Sequence, residues 1–334
     1  MKYESSMLIG NKRIDDGNGF VIAEVGSNHS RSLELAFSYI DAAAECEVDA
    51  VKFQFFDASD IVATNHEAYL EVESYVTPIE WIPKLKKYCD DLNLIFFGSA
   101  FNLKAFRSLD SSQTELHKIA SSELLNSELL LAAGRSKKPV LVSLGMSEWF
   151  EVEMALKVLE STENNSIIPM HCISKYPLET SLANLRTISK LISRYGNFVG
   201  FSDHTESVEI GGWAAALGAR VFEKHITLNR SEKGADHWYA LEPKFFRQYT
   251  RNIRESLTSL GDGEKQYLED EKKGRRRKSI YTMRSIEIGE KLHLNNISEQ
   301  GPRDGIPSTL VGMLDNLKSN KKLEDNQKIK WEDF

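Results

Sequence analysis

Two hydrophobic rhythms alternate along most of the chain. Short apolar runs, bounded by polar or glycine-containing stretches, recur at 20–25, 50–55, 94–99, 116–120, 139–144, 167–172, 198–202 and 220–224. Runs of this length, with little polar alternation, are the pattern of strands buried on both faces. Between them, apolar residues return every three or four positions. Residues 33–46 do so, and 78–91 place Trp81, Leu85 and Tyr88 on one face. The same spacing predicts helices at 126–135, 148–159, 181–195, 208–217 and 243–260, with a weaker one at 102–109.

Eight such strand–helix units in about 260 residues match the size and count of a (β/α)8 TIM barrel. A doubly wound open sheet is the alternative, but no Gly-rich dinucleotide fingerprint follows the first strand. The barrel is therefore expected over 1–262. A barrel places its chemistry at the C-terminal ends of the strands, and polar residues gather there. Strand one ends in Glu24, with Asn28 and His29 beyond it; strand two carries Lys52 and Gln54; strand three ends at Ser99. The fourth runs into Lys118, Ser121 and Glu123, the fifth into Ser143 and Gly145, and the sixth into His171, Ser174 and Tyr176.

The last two strands end in Ser202-Asp203-His204 and Glu223-Lys224-His225. Parallel neighbours bring both strand ends to one side. Two neutral imidazoles there, with Asp203, Glu223 and Asp236 near in sequence, suit a divalent metal. The alternative is that each is a hydrogen-bonded strand-end histidine. Lys52 and Lys118 sit within apolar strands, where an ammonium needs an anionic partner. With several serine hydroxyls they suit a phosphate or carboxylate ligand. Pairing with Glu24 and Glu123 inside the barrel is the other reading.

Composition narrows the class. With 334 residues and 41% hydrophobic content, the chain buries a large core and has room for one large domain and a small one. A net charge of −7 argues against nucleic-acid partners, and the basic run 275–278 follows an acidic stretch, as a solvated linker would. Cys46, Cys89 and Cys172 show no paired spacing, which points to reduced thiols in a cytosol-like compartment. No apolar run approaches ~18 residues and no signal-peptide pattern opens the chain. A cytoplasmic protein without a membrane partner is expected.

The tail repeats itself. Residues 286–297 align with 323–334, matching Glu287 with Glu324, Lys291 with Lys328 and Leu292 with Ile329. Each half must bury its apolar positions against the other, which predicts a small β-rich module at 279–334 after a linker at 263–278.

The phrases IAEVGSNH (22–29), AVKFQFF (50–56), KIASSE (118–123), VSLGM (142–146), HCISKYP (171–177), GFSDHT (200–205) and FEKHIT (222–227) resemble, in order, the N-acetylneuraminate synthase family. These are the sialic, legionaminic and pseudaminic acid synthases. The tail resembles that family's antifreeze-like (SAF) domain. The resemblance implies a transferase that joins phosphoenolpyruvate to an N-acyl mannosamine-type or 2,4-diacetamido hexose, releasing phosphate and a nine-carbon 2-keto sugar acid. It implies phosphoenolpyruvate contacts at Lys52, Ser99, Lys118, Ser121, Ser143, Ser174 and Ser202, and sugar contacts at Gln54, Tyr176 and Asp236. Glu24, Asp203, Glu223, His204 and His225 are then the candidate catalytic residues. The two histidines would be the ligands of manganese, or of magnesium or cobalt. A domain-swapped homodimer is implied, in which the tail caps the partner's barrel. The family's tail arginine has no direct equivalent in the run 301–305, and Arg303 is its candidate replacement. Two other readings of the barrel are a Schiff-base aldolase using Lys118 or Lys52 and a sugar-binding homologue without turnover.

Overall fold

The computed structural model describes residues 6–196, 198–273, 277–301 and 305–334, so Arg303 lies outside the described residues. Its contacts divide the chain into two compact units, Met1–Asp262 and Gly263–Phe334.

The first unit opens with an antiparallel hairpin, β1 (Ser6–Ile9) and β2 (Lys12–Asp15). The barrel strands follow: β3 (Phe20–Gly26), β4 (Ala50–Phe55), β5 (Ile95–Ala100), β6 (His117–Ile119), β7 (Val140–Ser143), β8 (Ile167–Cys172), β9 (Gly200–Asp203) and β10 (Val221–His225). They pair in chain order, and β10 pairs in parallel with β3 to close the (β/α)8 barrel. Each lies within a residue or two of its apolar run. The hairpin is not among the elements the sequence predicts. Its turn uses Gly10 at φ +55°, and it seats Ile9 and Ile14 among Phe20, Ile22, Phe97 and Ile168. Those residues belong to the N-terminal halves of the strands, so the hairpin plugs the end opposite the site.

The helices owe their starts to local chemistry. Ser32 caps Leu33–Glu45 by accepting the Leu35 N–H, and Asn102 does the same for Leu103–Ser111 through Ala105. The predicted 78–91 helix is a 3-10 turn, Ile79–Trp81, running into Ile82–Asp91. The predicted 181–195 helix begins only at Arg186, after a separate turn at Thr180–Leu182. Pro243–Ser259 has a proline in its first turn and buries Phe246, Tyr249, Ile253 and Leu257. Outward-facing strand residues such as Val21, Val51, Phe53 and Phe201 pack into this helix layer. Among the described residues, no helix is long and apolar enough to cross a membrane.

In the second unit, the stretch expected to be plain linker contains a short helix, Glu269–Lys273. Strands β11 (Ser279–Thr282) and β12 (Ile297–Gln300) pair antiparallel. The repeat is physical as well as textual. Ile286 and Leu323 exchange two backbone hydrogen bonds of 2.9 Å. The Glu287 N–H binds the Glu290 carboxylate, as the Glu324 N–H binds the Gln327 side-chain carbonyl. The His293 N–H binds Asn296 Oδ1, as the Lys330 N–H binds Asp333 Oδ2. Both halves send their apolar positions, Ile286 and Leu292 with Leu323 and Ile329, into one core.

Candidate active site

The strand C-termini surround a cavity of about 250 Å³. Its floor is a lattice of buried charge. Lys52 Nζ lies 3.3 Å from Glu24 Oε2 and 3.1 Å from Glu223 Oε2, and donates to Ser99 Oγ at 2.9 Å. Lys118 Nζ stands 3.6 Å from Glu223 Oε1, which also accepts from Ser202 Oγ at 3.0 Å. Gln54 Nε2 donates to Glu24 Oε1 at 2.7 Å. The lysines thus pair with Glu24 and Glu223. Glu123 instead accepts from Asn126 Nδ2 at 2.9 Å.

The two carboxylates are driven apart. Burial raises Glu24 to about 7, assisted by the charge of Glu223 and opposed by Lys52. Burial works in the same direction on Glu223, but Lys118, Lys52 and the Ser202 hydroxyl outweigh it and hold it near 2. Two buried acids with separated proton affinities are the arrangement of an acid–base site.

One wall is built of hydroxyls. Ser121 Oγ accepts the Gly145 N–H at 3.0 Å. A Cβ on Gly145 would collide with Ser174 Oγ and stand 2.8 Å from Ser121 Oγ, so only glycine allows this approach. Ser143 is buried, and its Oγ finds no hydrogen-bond partner among the described residues. A buried hydroxyl donor beside two lysines is suited to an anionic ligand. Cys172, expected only to be a reduced thiol, also lines this cavity. Its Sγ lies 3.6 Å from Ser121 Oγ and 4.0 Å from His204 Nδ1. Burial would raise the thiol, but His204, Ser121 and Lys118 bring it down to about 7.

Opposite stand the histidines, with ring centroids 5.7 Å apart. His204 Nδ1 engages the Ile173 carbonyl at 2.8 Å, which leaves Nε2 available. Burial takes His225 down to about 4 against the opposing pull of Asp236, with the charge of His204 assisting, so it is neutral at physiological pH. Its Nδ1 is 3.7 Å from Asp236 Oδ2. The Tyr176 ring lies 4.2 Å from His204 and 5.1 Å from Tyr239, whose hydroxyl donates to Asp236 Oδ1 at 2.6 Å. Among the described residues, no set of three or more His, Cys, Asp or Glu side chains gathers as a closed metal site. Burial would lower His204, but Cys172, the Ile173 carbonyl and Asp203 outweigh it and raise that imidazole above its ordinary value, so a divalent ion bound there would displace a proton. The pair fits an ion that keeps positions for water or substrate oxygens.

One expected catalytic residue is elsewhere. The pleat of β9 sends Ser202 and His204 into the barrel and Asp203 out to the helix layer. There Asp203 Oδ2 accepts from Lys224 Nζ at 2.5 Å and Oδ1 from the Thr205 N–H at 2.8 Å. Asp203 is a structural ion-pair partner, remote from the cavity. The same alternation turns His171 outward, onto the Ala183 carbonyl at 2.7 Å.

Known proteins resemble this chain over most of its length. The sequence pattern of the NeuB family matches residues 39–265. The chain is 35% identical to a spore coat polysaccharide biosynthesis protein of Bacillus subtilis, over 78% of this chain and 73% of that one. It is 32% identical to the N,N'-diacetyllegionaminic acid synthase of Campylobacter jejuni, over 86% of this chain and 91% of that one. The crystal structure of the N-acetylneuraminic acid synthetase of Leptospira borgpetersenii, in complex with citrate, superimposes with a TM-score of 0.77 at 32% identity, covering 81% of this chain and 95% of that chain.

Proposed function

The chain belongs to the NeuB family, and from that premise we propose that it condenses phosphoenolpyruvate with an open-chain acylamino sugar. The products are a nine-carbon 2-keto sugar acid and inorganic phosphate. The observation that carries this reading is the buried Ser143 Oγ within a ring of lysine and serine donors, facing a pair of available imidazoles.

Lys52, Lys118 and the hydroxyls of Ser99, Ser121, Ser143, Ser174 and Ser202 bind the carboxylate and phosphate of phosphoenolpyruvate. Held there, its C3 forms the new bond to the sugar aldehyde, and C2 is left electron-poor. Water adds to C2, one proton passing by way of Glu24, whose affinity near 7 suits it to take and return a proton, to the oxygen of the former aldehyde. Collapse of that tetrahedral carbon to the ketone breaks its C–O bond and releases phosphate, which carries off the second water proton. His204 and His225 would hold a divalent cation, manganese first and magnesium or cobalt as alternatives. When bound, that cation supplies Lewis-acid polarisation of the aldehyde.

Gln54, Tyr176 and Asp236 are assigned to the sugar, with Arg303 as the tail's contribution. Among the described lining residues the only lysines or arginines are Lys52 and Lys118, both deep in the floor. The outer wall is aromatic and acidic, with Tyr176 and Trp238 half-exposed near Asp236. This favours an uncharged acylated sugar over a sugar phosphate. Burial pulls both lysines down, but Glu223 and Glu24 outweigh it at Lys52 and raise that amine, which disfavours Lys52 as a Schiff-base nucleophile. At Lys118 burial wins and lowers the amine, so Lys118 is the lysine that borohydride trapping tests. The tail is assigned as an antifreeze-like module that completes a homodimer.

Phosphate release from phosphoenolpyruvate, with manganese or chelator and across a panel of acylamino sugars, tests the reaction. Metal-dependent release with one sugar is expected, and His225→Ala abolishes it while retaining the wild-type circular dichroism. Release that survives chelator, or a borohydride-trapped adduct on lysine, would overturn the assignment.

A further inference from the structure

We propose that the buried pair Asp203–Lys224 is a positioning device that fixes His204 and His225 relative to each other. It rests on the assignment of those histidines as a metal-holding pair, and it gives a role to two charges that the reaction does not use.

The sheet itself does not lock the histidines together. Pairing between β9 and β10 runs from Val221↔Gly200 to Lys224↔Asp203 and stops there. His225 continues in register with Glu24 on the other side, while the His204 carbonyl is held by the Leu178 N–H at 2.8 Å. Each histidine is therefore tied to a different neighbour. The connection between them is made on the outer face, by the residue that precedes each one.

Lys224 Nζ reaches Asp203 Oδ2 at 2.5 Å and the Thr205 carbonyl at 2.7 Å. Asp203 Oδ1 also takes the Thr205 N–H at 2.8 Å. His204 is thus bracketed, with the residue before it and the residue after it both fastened to the residue that precedes His225. The Tyr249 ring covers the ammonium at 4.9 Å. The side chains are 2% and 0% exposed, so the pair is dry. A buried ion pair adds little net stability, because desolvation offsets its attraction, and matched apolar residues often replace it without loss. Stability therefore does not account for it; fixing backbone geometry does.

Folding and positioning should then come apart on mutation. Lys224→Met alone strands the Asp203 charge and risks unfolding, so the deciding variant is the double replacement Asp203→Leu with Lys224→Met. In the full chain, this variant is expected to fold but to melt below wild type, because the buried Thr205 N–H and carbonyl lose their partners, with the wild-type circular dichroism retained. It should bind manganese about tenfold more weakly or worse by calorimetry, the scale for losing groups behind metal ligands. Its kcat should fall while its KM for phosphoenolpyruvate stays near wild type. Wild-type manganese affinity and kcat in a folded double variant would overturn the proposal and leave the proposed reaction standing. An equal loss of phosphoenolpyruvate affinity would also overturn it, since the defect would then be general loosening. A wild-type chain that binds no divalent cation would overturn the metal assignment and this inference together.

Discussion

Glu24 and Glu223 face the same lysine, yet one holds its proton to about 7 and the other only to about 2. For stability the signs are opposite. Glu24's affinity is raised on folding, so its contribution is complete below the ordinary value of 4.5 and is lost as pH rises through about 7. Glu223's contribution is present above 4.5 and is lost as pH falls through about 2. For activity, kcat/KM is expected to bend near pH 7 with the ionisation of Glu24. Glu24→Gln should remove that bend and cost about 10²–10⁴ in rate. A variant that keeps both rate and profile would exclude Glu24 from proton transfer. The residue types were legible in the sequence, because a lysine or carboxylate at the end of an apolar strand is costly to bury unless it meets a partner or a ligand. Their phase was less so. Strand side chains alternate, so a one-residue error in aim sends a group to the other face. Asp203 and His171 turn outward on that alternation, while Cys172, at an apolar-looking position, faces the cavity. The proton affinities depend on burial and on partners far apart in the chain, which no local pattern carries.

The turn leaving β7 shows what an element adds beyond its residues. Its Gly145 N–H binds Ser121 Oγ, and the missing side chain lets Ser174 come close, so three strand ends share one hydroxyl cluster. Gly145→Ala should push these hydroxyls apart and raise the KM for phosphoenolpyruvate about tenfold or more, with a smaller effect on the sugar KM. An unchanged KM would mean the cluster does not contact phosphoenolpyruvate. Barrel strands were readable because burial on both faces leaves an unbroken apolar signature, and their predicted spans match closely. Helix starts were less readable. Turns at Ile79–Trp81 and Thr180–Leu182 extend the apolar spacing beyond the helix proper. The β1–β2 hairpin carried only half a mark, a Gly10-Asn11 turn after the apolar run Met7–Ile9. The second strand, Lys12–Asp15, has the single apolar residue Ile14 and gives no strand signature of its own.

At the scale of the whole molecule, the tail folds around its own core and repeats its hydrogen bonds half by half. Such duplication accounts for how so short a segment buries enough apolar surface to be compact. It does not account for why a barrel carrying a complete set of polar strand ends needs the module. The proposed answer is that the tail serves the other subunit, and Arg303 makes this testable. Arg303→Ala and His225→Ala should each abolish or severely impair turnover, one through the tail and one through the barrel. Co-expressed with different tags and purified through both, they form mixed dimers. If tails are exchanged, one site of each mixed dimer combines an intact barrel with an intact tail, so about half of wild-type activity should return. If each tail serves its own barrel, every site carries one defect and no activity returns. Failure to recover any doubly tagged species would dispose of the dimer itself.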